Sequence, residues 1–175
     1  NQPILTTSVV INNLTSTTGS ILDLNGFVLV VNGNANVAGS INGTGSNGVF
    51  LSGTGQLVGA INAELVVAGS YVMNGSVSTT GNLSVQGSLD LGGFTAQVGG
   101  SFLTLNNGVL VMTNSLDVLD VTGDAIFTGG STDAKLTAGK LQIAGGFSQI
   151  GINSPQSFAA SPGHLTVLSA NPATI

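Results

Sequence analysis

Six glycines along this chain each stand in the middle of a row of alternate apolar residues: Val37-Gly39-Ile41, Leu57-Gly59-Ile61, Val67-Gly69-Tyr71, Val85-Gly87-Leu89, Val121-Gly123-Ala125 and Ile143-Gly145-Phe147. Alternation with a period of two is the pleat of an extended strand, and a glycine inside such a row marks a bend. The stretch Asn82 to Leu91 shows both features. Leu83, Val85, Leu89 and Leu91 share one parity with Gly87 among them, while Ser84, Gln86, Ser88 and Asp90 share the other. The central glycines are separated by 20, 10, 18, 36 and 22 residues. Those intervals fit a coil of about 18–22 residues that sometimes bends twice and in one coil lacks its glycine. No window holds a helical apolar stripe free of glycine, so helix is not expected.

A longer echo accompanies this pattern. Leu22-Asp23-Leu24, Gly26-Phe27, Val31 and Gly33 match Leu89-Asp90-Leu91, Gly93-Phe94, Val98 and Gly100 at a constant offset of 67. About three coils separate the two segments, which places them on the same side of one stack. Short strands and bends at this interval predict an all-β fold, a β-solenoid (parallel β-helix), with an antiparallel β-sandwich as the alternative. Six Asn-Gly pairs, beginning at Asn25, Asn32, Asn42, Asn47, Asn74 and Asn107, are the best support for the sandwich, because Asn-Gly is the strongest hairpin signal. The solenoid is favoured because the glycines interrupt the parity without resetting it.

Charge is almost absent: two basic and seven acidic residues give a net charge of −5, and mean hydropathy is +0.48. Such a chain is too apolar to be disordered, and its solubility rests on Asn, Ser, Thr and Gln. Lys135 and Lys140 alone cannot neutralise a run of phosphates, which excludes nucleic acid as a partner. No apolar run reaches the length of a membrane span, and no secretory signal opens the chain, as expected of a mature or excised piece. Zero cysteines remove disulfide and thiolate chemistry.

Composition divides the chain into three parts. Residues 1–18 lack the glycine pattern and read as an N-terminal cap or donated strand; residues 19–152 read as the solenoid. Residues 153–175, with three of the four prolines and the lone His164, read as a C-terminal cap or the start of a following module.

The segment Gly129 to Ser161 contains Leu136, Thr137, Ala138, Gly139, Leu141, Ile143, Gly145, Phe147 and Gln149, followed by Ser157 to Ser161 and Gly163-His164. It resembles the LTAG-x-L-x-V-x-G-x-F-x-Q unit and the SFAAS-G-H piece of long repetitive bacterial cell-surface proteins. Gly19 to Gly151 is also similar in pattern to filamentous adhesin and autotransporter passenger β-helices. The resemblance implies an exported, extracellular or cell-surface β-solenoid. It implies no catalytic motif, cofactor or ligand.

The acidic residues are the first candidates for a site. Asp23 and Asp90 have the chemistry of a glycosidase acid and base, but alternation turns each away from its flanking leucines, and three rungs of separation are too far for one scissile bond. They read as polar surface positions. Asp117, Asp120 and Asp124 form the densest acidic patch and the one weak calcium candidate, though their spacing matches no EF-hand or nonapeptide repeat. His164 has no partner for a zinc site or a triad. The glycine-rich Asn42 to Gly55 lacks the lysine and helix of a phosphate loop and reads as a broad corner. The sequons at Asn13, Asn42, Asn74 and Asn82 matter only in a host that glycosylates asparagine.

The sequence therefore predicts a non-enzymatic extracellular structural or adhesive protein without cofactor, a self-assembling fibre or surface-layer subunit. Its partners are further copies, joined through terminal rungs or the N-terminal strand, and a surface glycan is a possible ligand. The alternatives are an ice- or glycan-binding module and, behind it, a polysaccharide-active enzyme.

Overall fold

The computed structural model describes residues 2–44 and 47–169. They contain strands and no helix, and every strand pairing is parallel. The first coil lays down β1 (Val9–Ile11), β2 (Leu14–Ser16) and β3 (Ile21–Asp23). The next three coils take β4 (Leu29–Val31) and β5 (Ala35–Asn42), then β6 (Gly48–Leu51) and β7 (Thr54–Asn62), then β8 (Glu64–Val67) and β9 (Ser70–Thr79). Two coils of three separate strands follow: β10 (Leu83–Val85), β11 (Ser88–Asp90) and β12 (Thr95–Val98), then β13 (Phe102–Thr104), β14 (Val109–Val111) and β15 (Val118–Val121). The last are β16 (Ala125–Phe127) with β17 (Lys140–Ile143), and β18 (Phe147–Gln149) with β19 (Leu165–Leu168).

One strand per coil enters an eight-stranded sheet in the order β1-β4-β6-β8-β10-β13-β16-β18, the first face. The rest belong to an eleven-stranded sheet that bends into two faces. On the second, β2, the first halves of β5, β7 and β9, then β11 and β14 are stacked. On the third, β3, the second halves of the same long strands, then β12, β15, β17 and β19 are stacked. The chain is a β-solenoid of about seven turns. Register from Val9 to Leu29, Val49, Leu65, Leu83, Phe102, Ala125 and Phe147 gives coils of 20, 20, 16, 18, 19, 23 and 22 residues, slightly wider than the expected range at both ends.

Strand parity fixes the interior. Val31, Val49, Leu51, Leu57, Ile61, Leu65, Val67, Val85 and Leu119 are fully buried, and Phe102 and Phe127 extend the core into an aromatic run with Phe147 and Phe158, centroids 4.9–5.8 Å apart. Buried polar side chains are bonded. Thr79 donates to Ala63 O, Thr128 to Thr104 O and Ser157 to Phe127 O. A lone unsatisfied group in such an interior would cost about 1–3 kcal/mol.

The six glycines sort into three corners. Gly39 and Gly59 sit where the second face turns into the third; Gly69 and Gly87 lie between the first and second; Gly123 and Gly145 lie between the third and first. Within a corner they stack on the coil before: a Cβ on Gly87 would stand 2.0 Å from Gly69 O, and one on Gly145 would stand 2.5 Å from Gly123 O. The close backbone approach between coils excludes a side chain at these positions.

Strand pairing runs through the expected boundaries at 18 and 153. β1 and β2 pair with β4 and β5, and β19 pairs with β17, so part of each flank is ordinary coil. The glycine-rich Asn42 to Gly55 is likewise not only a corner, because it contains β6; its Gly45 and Ser46 lie outside the described residues. Residues 170–175 of the C-terminal part also lie outside them.

Candidate functional surfaces

Asp23 and Asp90 occupy different faces, contrary to the expectation from the echo. β3 stacks under the second half of β5 on the third face, whereas β11 stacks between β9 and β14 on the second. What recurs is a turn. Asp23 Oδ1 accepts the amide of Asn25 at 2.8 Å, and Asp90 Oδ1 accepts the amide of Gly92 at 2.9 Å. Phe27 N then bonds Leu24 O, and Phe94 N bonds Leu91 O. Both central residues of each turn have positive φ, 47° and 80° at Asn25-Gly26 and 59° and 91° at Gly92-Gly93, as a type I′ turn requires. An Asn-Gly hairpin signal is thus spent on a corner between parallel strands. The two carboxylates staple these corners and form no pair.

Asp117, Asp120 and Asp124 do not converge, and among the described residues no three His, Cys, Asp or Glu side chains gather as a metal site would need. Asp117 is fully buried; its Oδ1 accepts from Gly93 N at 2.6 Å and its Oδ2 from Asn114 N at 2.9 Å. Asp124 accepts from Gly146 N at 2.7 Å in the next coil. Asp120 lies on the third face, in register with Gln97 and Gln142. With Ser78, Thr80, Gln97 and Thr122 it lines a shallow polar depression that also takes in Gly99.

Side-chain ladders at the corners escaped the sequence reading. Asn82 Nδ2 donates to Glu64 Oε1, Asn82 Oδ1 accepts from Ser101 N, and Ser101 Oγ accepts from Asp124 N. In a second ladder Asn13 Oδ1 accepts from Asn34 N, Asn34 Oδ1 from Gln56 N and Gln56 Oε1 from Asn74 Nδ2, and Asn62 donates to Asn42. All four sequon asparagines are therefore ladder members. The available signal was a polar residue just before each short strand of the first face: Glu64, Asn82, Ser101 and Asp124 precede LVV, LSV, FLT and AIF.

The remaining candidates are structural. His164 sits beside Phe158, its Nδ1 2.8 Å from Ala138 O, so the proton is on Nδ1; Nε2 is buried without a partner. Lys135 is exposed and Lys140 half-buried at the start of β17. Leu136 bridges Met112 below and Ala160 above, Gly139 takes φ 74° at a corner, and Leu141 and Ile143 enter the core. The LTAG unit and the SFAAS piece thus supply successive coils.

Each sheet ends in a strand paired on one side only among the described residues: β1 and β2 at the N-terminal end, β18 and β19 at the C-terminal end. Leu14 N bonds Asn34 O, so by alternation the amide of Thr15 points to the free edge. Leu165 N and Ser169 N bond Gly139 O and Ile143 O, which leaves the amides of Thr166 and Leu168 on the free edge of β19. Leu165 and Leu168 are 55% and 60% exposed. No helix among the described residues is long and apolar enough to cross a membrane. No protein-family model matches this chain, and no curated protein or solved structure matches it significantly.

Proposed function

We propose that this chain is a structural or adhesive segment of an extracellular fibre or surface layer, assembled by end-to-end strand pairing. The observation that carries the reading is the pair of free parallel edges. β2 ends the second face and β19 the third, whereas on the first face the C-terminal edge β18 and the N-terminal edge β1 are related by translation along the stack. Joining them between copies is a heterologous contact that repeats without closing. Exposed Leu168, in register with the buried Ile143, occupies an interior position that a further coil would cover. Unpaired edges of this kind are templates for another chain. The resemblance of the LTAG and SFAAS segments to bacterial cell-surface repeats supports an exported location.

The test is sedimentation velocity over a wide concentration range with two edge variants. Thr15→Pro and Leu168→Pro each remove a free-edge amide without removing an internal ladder bond. They are expected to lower assembly while leaving the monomer folded by circular dichroism. Assembly unchanged by both variants contradicts the reading. The polar depression around Asp120 supports a second reading, a glycan-binding face. It requires retention on a polysaccharide resin that Asp120→Ala abolishes. In neither reading does a residue of this chain carry catalysis.

A further inference from the structure

The eight-stranded sheet has an apolar outer surface as well as an apolar inner one. In its three-residue register the flanking positions point inward, as with Leu29 and Val31 or Leu83 and Val85, all buried in the core. The middle positions therefore point outward, and register aligns them into one column: Val10, Val30, Phe50, Val66, Ser84, Leu103, Ile126 and Ser148. Six of these eight are large apolar residues. Val10 is 67% exposed, Val30, Phe50, Leu103 and Ile126 are half-buried, and Val66 is 9% exposed yet stands outside the core cluster. Corner ladders flank the column, with Glu64, Asn82, Ser101 and Asp124 on one side and the bonded pair Asn32 and Ser52 on the other. An apolar centre with a polar rim is the anatomy of a protein contact surface.

We infer that this stripe joins two stacks of the chain side by side, sheet against sheet, with a second copy as its occupant. Area makes the choice. Eight strands spaced ~4.8 Å apart and three residues wide give a stripe of roughly 34 by 10 Å, about 340 Å². A stable pair of proteins needs about 800 Å² on each partner, so one copy cannot hold another by this surface alone. The stripe runs along the stacking axis and continues from copy to copy, so in a filament the small contacts add and hold the partner filament by multivalency. Two flat faces of this kind pack about 10 Å apart. Charge argues against an anionic membrane as the occupant: the chain's two cations, Lys135 and Lys140, lie outside this sheet, and the rim carries Glu64 and Asp124.

The inference rests on end-to-end assembly, and the experiment separates the two. Assembled wild type and a Phe50→Ser, Leu103→Ser double variant are imaged by electron microscopy with rising ammonium sulfate. The wild type is expected to show paired or bundled filaments, more of them as the excluded salt favours apolar contact. The variant is expected to keep the same filaments while the paired fraction falls about tenfold, because only the additive lateral contacts are weakened. Wild-type filaments that stay single, or variant filaments that still pair, overturn the lateral contact alone. A wild type that never forms filaments overturns end-to-end assembly and the lateral contact with it. Binding of the unassembled wild type, but not of the variant, to phosphatidylcholine vesicles assigns the stripe to lipid and overturns it as well.

Discussion

Gly26 and Gly59 both hold positive φ, yet the chain depends on them differently. A Cβ on Gly26, at φ 80°, would meet nothing within 4 Å, whereas one on Gly59, at φ 114°, would stand 1.9 Å from Val37 O in the coil before. Gly26→Ala is expected to cost about 1–2 kcal/mol, the penalty of a left-handed residue with a side chain. Gly59→Ala adds the steric overlap and is expected to cost more than about 4 kcal/mol, in the range where point substitutions become exceptional. Urea titration of the two variants checks the order. The carboxylates divide in the same way. Asp117→Ala removes both acceptors from two backbone amides in a fully buried position and is expected to cost about 3 kcal/mol. Asp23→Asn and Asp90→Asn keep an oxygen for their turn amides and are expected to change stability by under about 1 kcal/mol. At this scale the sequence displayed the repeated Leu-Asp-Leu and Gly-Phe but not its cause. A shared turn produces the same letters at any corner, so the echo could not report which face each copy occupies.

Tyr71 ties elements together. Its phenol, on the second face, donates to Val31 O at 3.0 Å, two coils earlier on the first face. Burial pushes its pKa above the usual 10.0, partly offset by the Gly53 backbone. The folded state thus holds this proton more tightly than the unfolded chain. Its contribution to stability is complete below about pH 10 and falls as pH rises above that value towards the raised folded pKa. Thermal unfolding from pH 8 to 11 is expected to show an alkaline loss that Tyr71→Phe reduces, with that variant about 1 kcal/mol less stable at pH 8 for the lost hydrogen bond. Strand parity and most corners were legible because burial of one side forces alternation and close coil approach forces glycine. The strand β6 was hidden in NGTGSNGVFLSGTG because glycines there serve adjacent coils: Gly48 lies against Glu64 O and Gly53 against Asn32 O. The outward apolar column was equally hidden, since Leu-Val-Val and Ile-Phe segments do not show which neighbour faces water.

For the whole molecule, strand pairing joins each coil only to its neighbours, with the Tyr71 to Val31 bond reaching one coil farther, so stability is expected to be close to a sum over coils that weakens at the ends. Amides of β1, β2 and β19 are therefore expected to exchange hydrogen faster than those of β8 and β10, and uniform protection would contradict this. The stack itself was readable from glycine spacing, because a period near 20 residues with short strands leaves few other folds. Its ends were less readable: the segments composed like caps contribute β2 and β19, whose edges remain free among the described residues. From those edges follows the claim that copies add coil upon coil. Fibre diffraction of concentrated, aligned protein tests it most directly. A sharp reflection near 4.8 Å along the filament axis, lost in the Thr15→Pro, Leu168→Pro double variant, is the expected result. A solution of monomers with no axial order at any concentration would contradict it.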